Sequence, residues 1–158
     1  MRKIVVLAAL VLLTVPRQAS ADVTGFLGVN TSPSSRTTKG FAVGAGLLIV
    51  GFEFEYADTS EDLSSSAPSL KTSLGSVLLQ TPIAIGGFQP YFETGGGYYH
   101  ESLGARTDQG FAVGTGGGVK ISLAGPLRLR IDYRVFKLGD TALYSPVHRL
   151  YAGLNLKF

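Results

Sequence analysis

Nine charged residues stand at alternate positions of apolar segments, and this spacing is the clearest sign of chemistry in the sequence. Between Leu127 and Phe136, arginine and aspartate alternate with aliphatic and aromatic residues, so an extended chain carries these charges on one face. Charges gathered in this way could form an ion path or an ion-pair network. Because their signs are mixed and enclosed charges need partners, we predict pairing. The set is Glu53, Glu55, Glu93, Lys120, Arg128, Arg130, Asp132, Arg134 and Lys157.

A second candidate is a histidine and a serine at alternate positions of Tyr99-His100-Glu101-Ser102. In a strand they share a face, as a general base and a nucleophile would have to. Nucleophilic catalysis also needs a third group that orients the base. Glu101 faces the other way, and no glutamate follows it in the chain. We therefore predict that the protein is not an enzyme.

The sequence predicts no metal or cofactor site. His100 and His148 are the only histidines, and there is no cysteine. His100-Glu101 begins like a zinc-protease helix motif, but the second histidine is missing and the residues lie in a strand pattern. The glycine clusters at 95–97 and 114–118 do not have the spacing or the strand-turn-helix setting of a phosphate-binding loop.

The N-terminus has the pattern of a secretory signal peptide. A basic start is followed by a short apolar run and by Ala19-Ser20-Ala21, a small-residue cleavage site, so we predict a leader at 1–21 and one domain at 22–158. The run is shorter than the roughly 20 residues of a transmembrane helix. The chain has 14 basic and 11 acidic residues, and Arg2, Lys3 and Arg17 lie in the leader, which leaves 11 against 11. This balance gives no basic patch for nucleic acid.

The rest of the chain is predicted to be all-β, with eight strands and no helix. Apolar and polar residues alternate with a period of two in each candidate segment. Longer polar connections alternate with short turns, among them Val50-Gly51, the segment 82–87 and Ala124-Gly125-Pro126, while 103–109 is predicted to be a polar loop. The predicted strands are 23–30, 40–49, 52–57, 70–81, 88–102, 110–123, 127–138 and 149–158.

Glycine indicates which face of these strands is inside. In the second and sixth strands the polar face carries glycines such as Gly44, Gly46, Gly114 and Gly116. Glycine weakens a strand unless the space is needed, and a narrow lumen full of charged side chains needs it. The apolar face, including Phe41, Val43, Leu47, Ile49, Phe111, Val113, Val119 and Ile121, then meets lipid. The prediction is an eight-stranded antiparallel up-and-down transmembrane β-barrel.

These features resemble the small eight-stranded bacterial outer-membrane barrels, the family that includes outer membrane protein X and the membrane domain of outer membrane protein A. The segment Leu127–Phe136 is similar to their penultimate strand, and an alternating last strand ending on Phe158 is typical of them. The resemblance implies export to the bacterial outer membrane and contact with outer-membrane lipid and lipopolysaccharide. It also implies that Phe158 and the last strand are the signal read by the barrel-assembly machinery.

Three functions are compatible with the sequence. The one we favour is a structural or surface-interaction role, with at most narrow passive conductance of ions or small solutes and with extracellular ligands at the polar loops 58–69 and 139–148. The second is a lipid A-modifying enzyme on the same barrel, because His100 and Ser102 resemble part of the outer-membrane lipid A deacylase motif, although Leu103 stands where that family has asparagine. The third is a secreted soluble barrel that carries a small apolar ligand.

Overall fold

The computed structural model describes residues 20–158, which form a closed barrel of eight antiparallel strands, each paired with its neighbours in the chain. The predicted fold is confirmed. Most of the predicted leader lies outside the described residues. Among residues 20–158, no helix is long and apolar enough to cross a membrane. The strands are β1 (Ser20–Asn30), β2 (Arg36–Leu47), β3 (Val50–Thr59), β4 (Ser69–Gln80), β5 (Phe88–Leu103), β6 (Arg106–Ala124), β7 (Leu127–Lys137) and β8 (Val147–Lys157).

Three connections differ most from the prediction. The first is shorter than predicted, because β2 begins at Arg36 rather than at residue 40. The turn between β2 and β3 is Leu48-Ile49 rather than Val50-Gly51, because Leu47 pairs with Val50 and Leu48 adopts a left-handed φ of 56°. The predicted loop 103–109 is mostly strand. Gly104, with a φ of 57°, allows a tight turn with Ala105, so that β5 and β6 stay paired as far as Leu103 and Arg106.

The side chains alternate between lumen and outer surface as predicted. On β7, Arg130 is 0% exposed and its neighbour Ile131 is 40% exposed. Phe41, Phe54 and Phe111, on three other strands, are about half exposed. The barrel therefore encloses its charges and displays its apolar residues, which is the reverse of a soluble carrier with an apolar cavity.

Glycines on the lumen face lie where the barrel has no room for a side chain. A β-carbon at Gly118 would stand 2.1 Å from the Ile131 carbonyl oxygen and 2.6 Å from the Tyr91 hydroxyl. At Gly116 it would stand 2.9 Å from Arg134 Cγ. Glycine in β6 thus makes space for large lumen side chains from β5 and β7.

The two ends of the barrel differ. At one end, which we call the turn end, lie both ends of the described chain and the connections 48–49, 81–87 and 125–126; at the other, the loop end, lie 31–35, 60–68, 104–105 and 138–146.

Hydrogen bonds hold the loops in place. Glu61 accepts a hydrogen bond from the Gly104 amide at 2.6 Å. In the second loop, hydrogen bonds from the Ser64 and Ser65 hydroxyls lower the pKa of Asp62 to about 2, so this carboxylate stays ionised and holds the turn.

Candidate functional site: the charged lumen

Two arginines of β7 form the centre of the lumen. Arg130 binds Glu53 of β3 with both terminal nitrogens, at 2.5 and 3.0 Å. Arg134 lies 3.2 Å from Glu53, 3.0 Å from Asp132 and in ion-pair contact with Glu93. Because β3 and β7 are on opposite sides of the barrel, these pairs cross the lumen and block it.

Two buried tyrosines complete the central layer. The Tyr91 hydroxyl donates to Asp132 and accepts from Arg130 Nε at 2.7 Å. The Arg130 guanidinium also lies 4.7 Å from the centre of the Tyr91 ring. On the other side, the Tyr151 hydroxyl accepts from Arg134 at 3.3 Å. The ring faces and hydroxyls satisfy guanidinium groups that water cannot reach.

A second layer lies towards the loop end. Arg149 of β8 pairs with Glu55 of β3, which also lies 3.0 Å from Arg134. The Arg149 guanidinium stands 4.4 Å from the centre of the Phe136 ring. Beyond it the lumen holds a buried apolar cluster composed of Leu70, Leu74, Tyr99, Ala112, Phe136, Leu138 and Val147. Buried polar residues lie beside this cluster, among them Arg36, Thr38 and Glu101. The cluster and these polar residues together fill the loop end.

A third layer lies near the turn end. Asp22 of β1 binds both Lys120, at 2.7 Å, and Arg128, at 3.0 Å. Arg128 also donates to Asn155 at 2.7 Å and to Gln89 at 3.0 Å. Asp22, Gln89, Lys120 and Arg128 line a cavity of about 430 Å³ at the turn end. The lumen is therefore open at the turn end, where this cavity forms a vestibule.

The structure brings together eight of the nine charged residues named from the sequence, and each of the eight is buried and ion-paired. Lys157 is exposed, at the rim of the vestibule. Two members of the network were missed, Asp22 and Arg149. Asp22 lies on the polar face of β1 and Arg149 on the polar face of β8, and these positions could have identified both as lumen residues. The network thus joins five carboxylates, Asp22, Glu53, Glu55, Glu93 and Asp132, to five cations, Lys120, Arg128, Arg130, Arg134 and Arg149.

The histidine and serine lie on the outer surface at the loop end. His100 is exposed and Ser102 half-buried, whereas Glu101 between them is buried and accepts a hydrogen bond from the Leu143 amide at 2.9 Å. The nearest outward carboxylate in register is Asp58, two strands away beyond Lys71. In residues 20–158, no three histidine or acidic side chains are close enough together to hold a metal ion.

No family model matches the sequence, and no curated protein matches it. Solved structures do match. The N-terminal barrel domain of Pseudomonas aeruginosa OprF is 14% identical with a TM-score of 0.63, over 90% of this chain and 99% of that one. Neisserial surface protein A is 19% identical with a TM-score of 0.61, over 89% and 96%. The outer-membrane enzyme PagL is 14% identical with a TM-score of 0.52, over 87% and 98%. The chain has the fold of small eight-stranded outer-membrane barrels.

Proposed function

We propose that the protein is a small bacterial outer-membrane barrel with a structural or surface-interaction role. The observation that carries this proposal is the combination of an apolar outer face with a lumen filled by ten paired charges and an apolar cluster. A barrel of this kind is stable in lipid and has no room for a wide channel. Cell fractionation and heat-modifiable migration on a gel test the location. Recovery in the soluble periplasmic fraction would contradict it.

The orientation follows from the connections. Small outer-membrane barrels have short periplasmic turns and longer extracellular loops, so the turn end faces the periplasm and the loops face outward. In this orientation, β8 and Phe158 present the assembly signal at the periplasmic side. The loops 31–35 and 60–68 expose mainly serine, together with Glu61 and Leu63. The serine hydroxyls suit extracellular ligands bound through hydrogen bonds.

We expect little or no ion conductance. An ion entering the vestibule meets the Arg130–Glu53 pair and then the apolar cluster around Phe136. Planar-bilayer recordings should show small steps or none. Large, stable steps of porin size would show that this filled lumen is not the state in the membrane.

We also propose that the protein is not an enzyme. His100 and Ser102 share the outer face, but no acceptor for a hydrogen bond from the imidazole is found within the described residues, and Asp58 is separated from it by β4. Catalysis by a serine and a histidine normally needs such an orienting group.

The second candidate function is a lipid A-modifying enzyme, favoured by the shared outward face of His100 and Ser102 and by the fold similarity to PagL. Lipid A from cells expressing the wild type should have the same mass as lipid A from cells expressing Ser102→Ala. Deacylated lipid A that disappears with this substitution would establish the enzyme instead.

A further inference from the structure

The outward-facing charges of the eight strands are confined to the loop end. They are Lys39, Asp58, Lys71 and Lys137, and each lies beyond the apolar belt of its strand. No lysine, arginine, aspartate or glutamate of β1–β8 faces outward near the turn end. The outer surface of the strands is therefore charged at the loop end only, with three lysines against one aspartate.

Lys71 and His100 line a groove on this surface. The two residues are partners in register on β4 and β5, and Gln109 of β6 follows in the same row. Together with Ser73 and Tyr98 they line a groove of about 480 Å³. In the described structure, neither Lys71 nor His100 has a carboxylate within ion-pair distance. The groove thus offers a lysine ammonium, an imidazole and an amide that no protein group occupies.

A second, apolar groove lies further along β4, nearer the middle of the barrel. The next outward residue of β4 after Ser73 is Gly75, and a β-carbon built there would have no atom within 4 Å. Phe54, Phe52 and Val77 line this second groove, of about 610 Å³. On the far side, the Phe111 ring lies over Gly96, where a β-carbon would stand 2.6 Å from its Cζ. Phe54 and Phe111 lie on either side of Gly75, and the second groove is open at this glycine.

We propose that these two grooves bind one phosphorylated glycolipid of the outer leaflet, with its phosphate at Lys71 and His100 and an acyl chain along Gly75. This inference rests on the proposed outer-membrane location. Charge complementarity selects the occupant. The row of Lys39, Asp58 and Lys71 has a formal charge of +1, and the sugar hydroxyls would meet Gln109, Ser73 and Tyr98. A free phosphate would use the first groove and leave the second empty.

The experiment compares four variants of the full barrel refolded in detergent and titrated with bisphosphorylated lipid A, with bound copies counted by native mass spectrometry. Lys71→Gln removes the charge proposed to bind the phosphate, and Gly75→Leu fills the second groove. Lys137→Gln is the control for charge, since Lys137 is outward at the loop end but lines neither groove. Gly25→Leu is the control for the added side chain, because a β-carbon at Gly25 also has nothing within 4 Å.

Wild type should retain one lipid A. Lys71→Gln and Gly75→Leu should each bind it about tenfold more weakly, as expected when one charge-assisted contact is lost or the second groove is filled. The controls should stay within about twofold of wild type. Dephosphorylated lipid A should bind wild type as weakly as intact lipid A binds Lys71→Gln. Heat-modifiable migration verifies that all variants fold.

Three results would overturn the inference. One is equal binding by all folded variants. Another is phosphatidylglycerol binding as tightly as lipid A, which would indicate a general anionic-lipid surface. The third is inorganic phosphate competing at Lys71 while Gly75→Leu has no effect, which would indicate a free-phosphate site. A wrong outer-membrane location can be distinguished from a wrong lipid site. Fractionation of cells that express the wild type tests the location, independently of what the purified protein binds.

Discussion

Replacing Arg134 with methionine is expected to lower the free energy of unfolding in lipid by about 3–5 kcal/mol, the range for breaking a buried ion pair by removing one partner. Arg134 is fully enclosed and contacts four carboxylates, Glu53, Glu55, Glu93 and Asp132. Glu93 is affected most, since its other cation, Arg130, is 3.6 Å away. Urea unfolding in phospholipid bilayers measures the change.

Two further variants separate lost pairing from lost volume. Adding Glu93→Gln to Arg134→Met should restore part of the stability, because the amide carries no charge to be left unpaired. Lys137→Met on the same strand should change stability by no more than about 0.5 kcal/mol, since its side chain is exposed. If Arg134→Met were as mild as Lys137→Met, the lumen would have to be hydrated and not sealed.

Replacing Ile131 with arginine is expected to destabilise the barrel in lipid by about 2–4 kcal/mol, the range for arginine on the lipid face near the membrane midplane. Ile131 is outward and lies in the middle of β7, between its partners Val119 and Ala152. An arginine there has to carry its charge into hydrocarbon, whereas Arg130 beside it is paired in the lumen. The same unfolding assay in bilayers applies.

The matched control places the same substitution at a different depth in the membrane. Leu123 is also exposed but lies at the turn end, where arginine costs only about 0–1 kcal/mol. Leu123→Arg should therefore be mild. Fluorophores at 130 and 131 give an independent measurement, in which quenchers attached to lipid should reach only position 131. Quenching at 130 instead would mean that the barrel is inside out in the membrane.

The strands and their faces could be predicted because both depend on local sequence. In β7 the alternation of Arg130 with Ile131 determines which side chains share a face, and strand periodicity is a property of neighbours in the chain. The glycines of β6 indicated the inside for the same reason, since the absence of a side chain is visible at each position.

The ion-pair partners could not be predicted in this way. Whether Arg130 meets Glu53 or Glu93 depends on the stagger of strands around the barrel, which is set by closure and not by any one strand. Arg149 and Asp22 have fewer charged neighbours on their own strands, so they did not stand out. The Gly104 turn was missed because the polar residues after it resemble a loop, although they continue β6.

The balance of five ion-paired carboxylates and five ion-paired cations in the lumen limits how this sequence can change. A neutral substitution at Glu55 leaves Arg149 without its only carboxylate in the described structure. Once Glu55 is replaced, a substitution that also removes the charge of Arg149 becomes favourable. Lumen charges should consequently be gained and lost in pairs across strands, such as 55 with 149 or 53 with 130. The outer belt is free of this coupling and can exchange one aliphatic residue for another independently. Divergent relatives would then share the sum of the lumen charge and differ in the places that carry it.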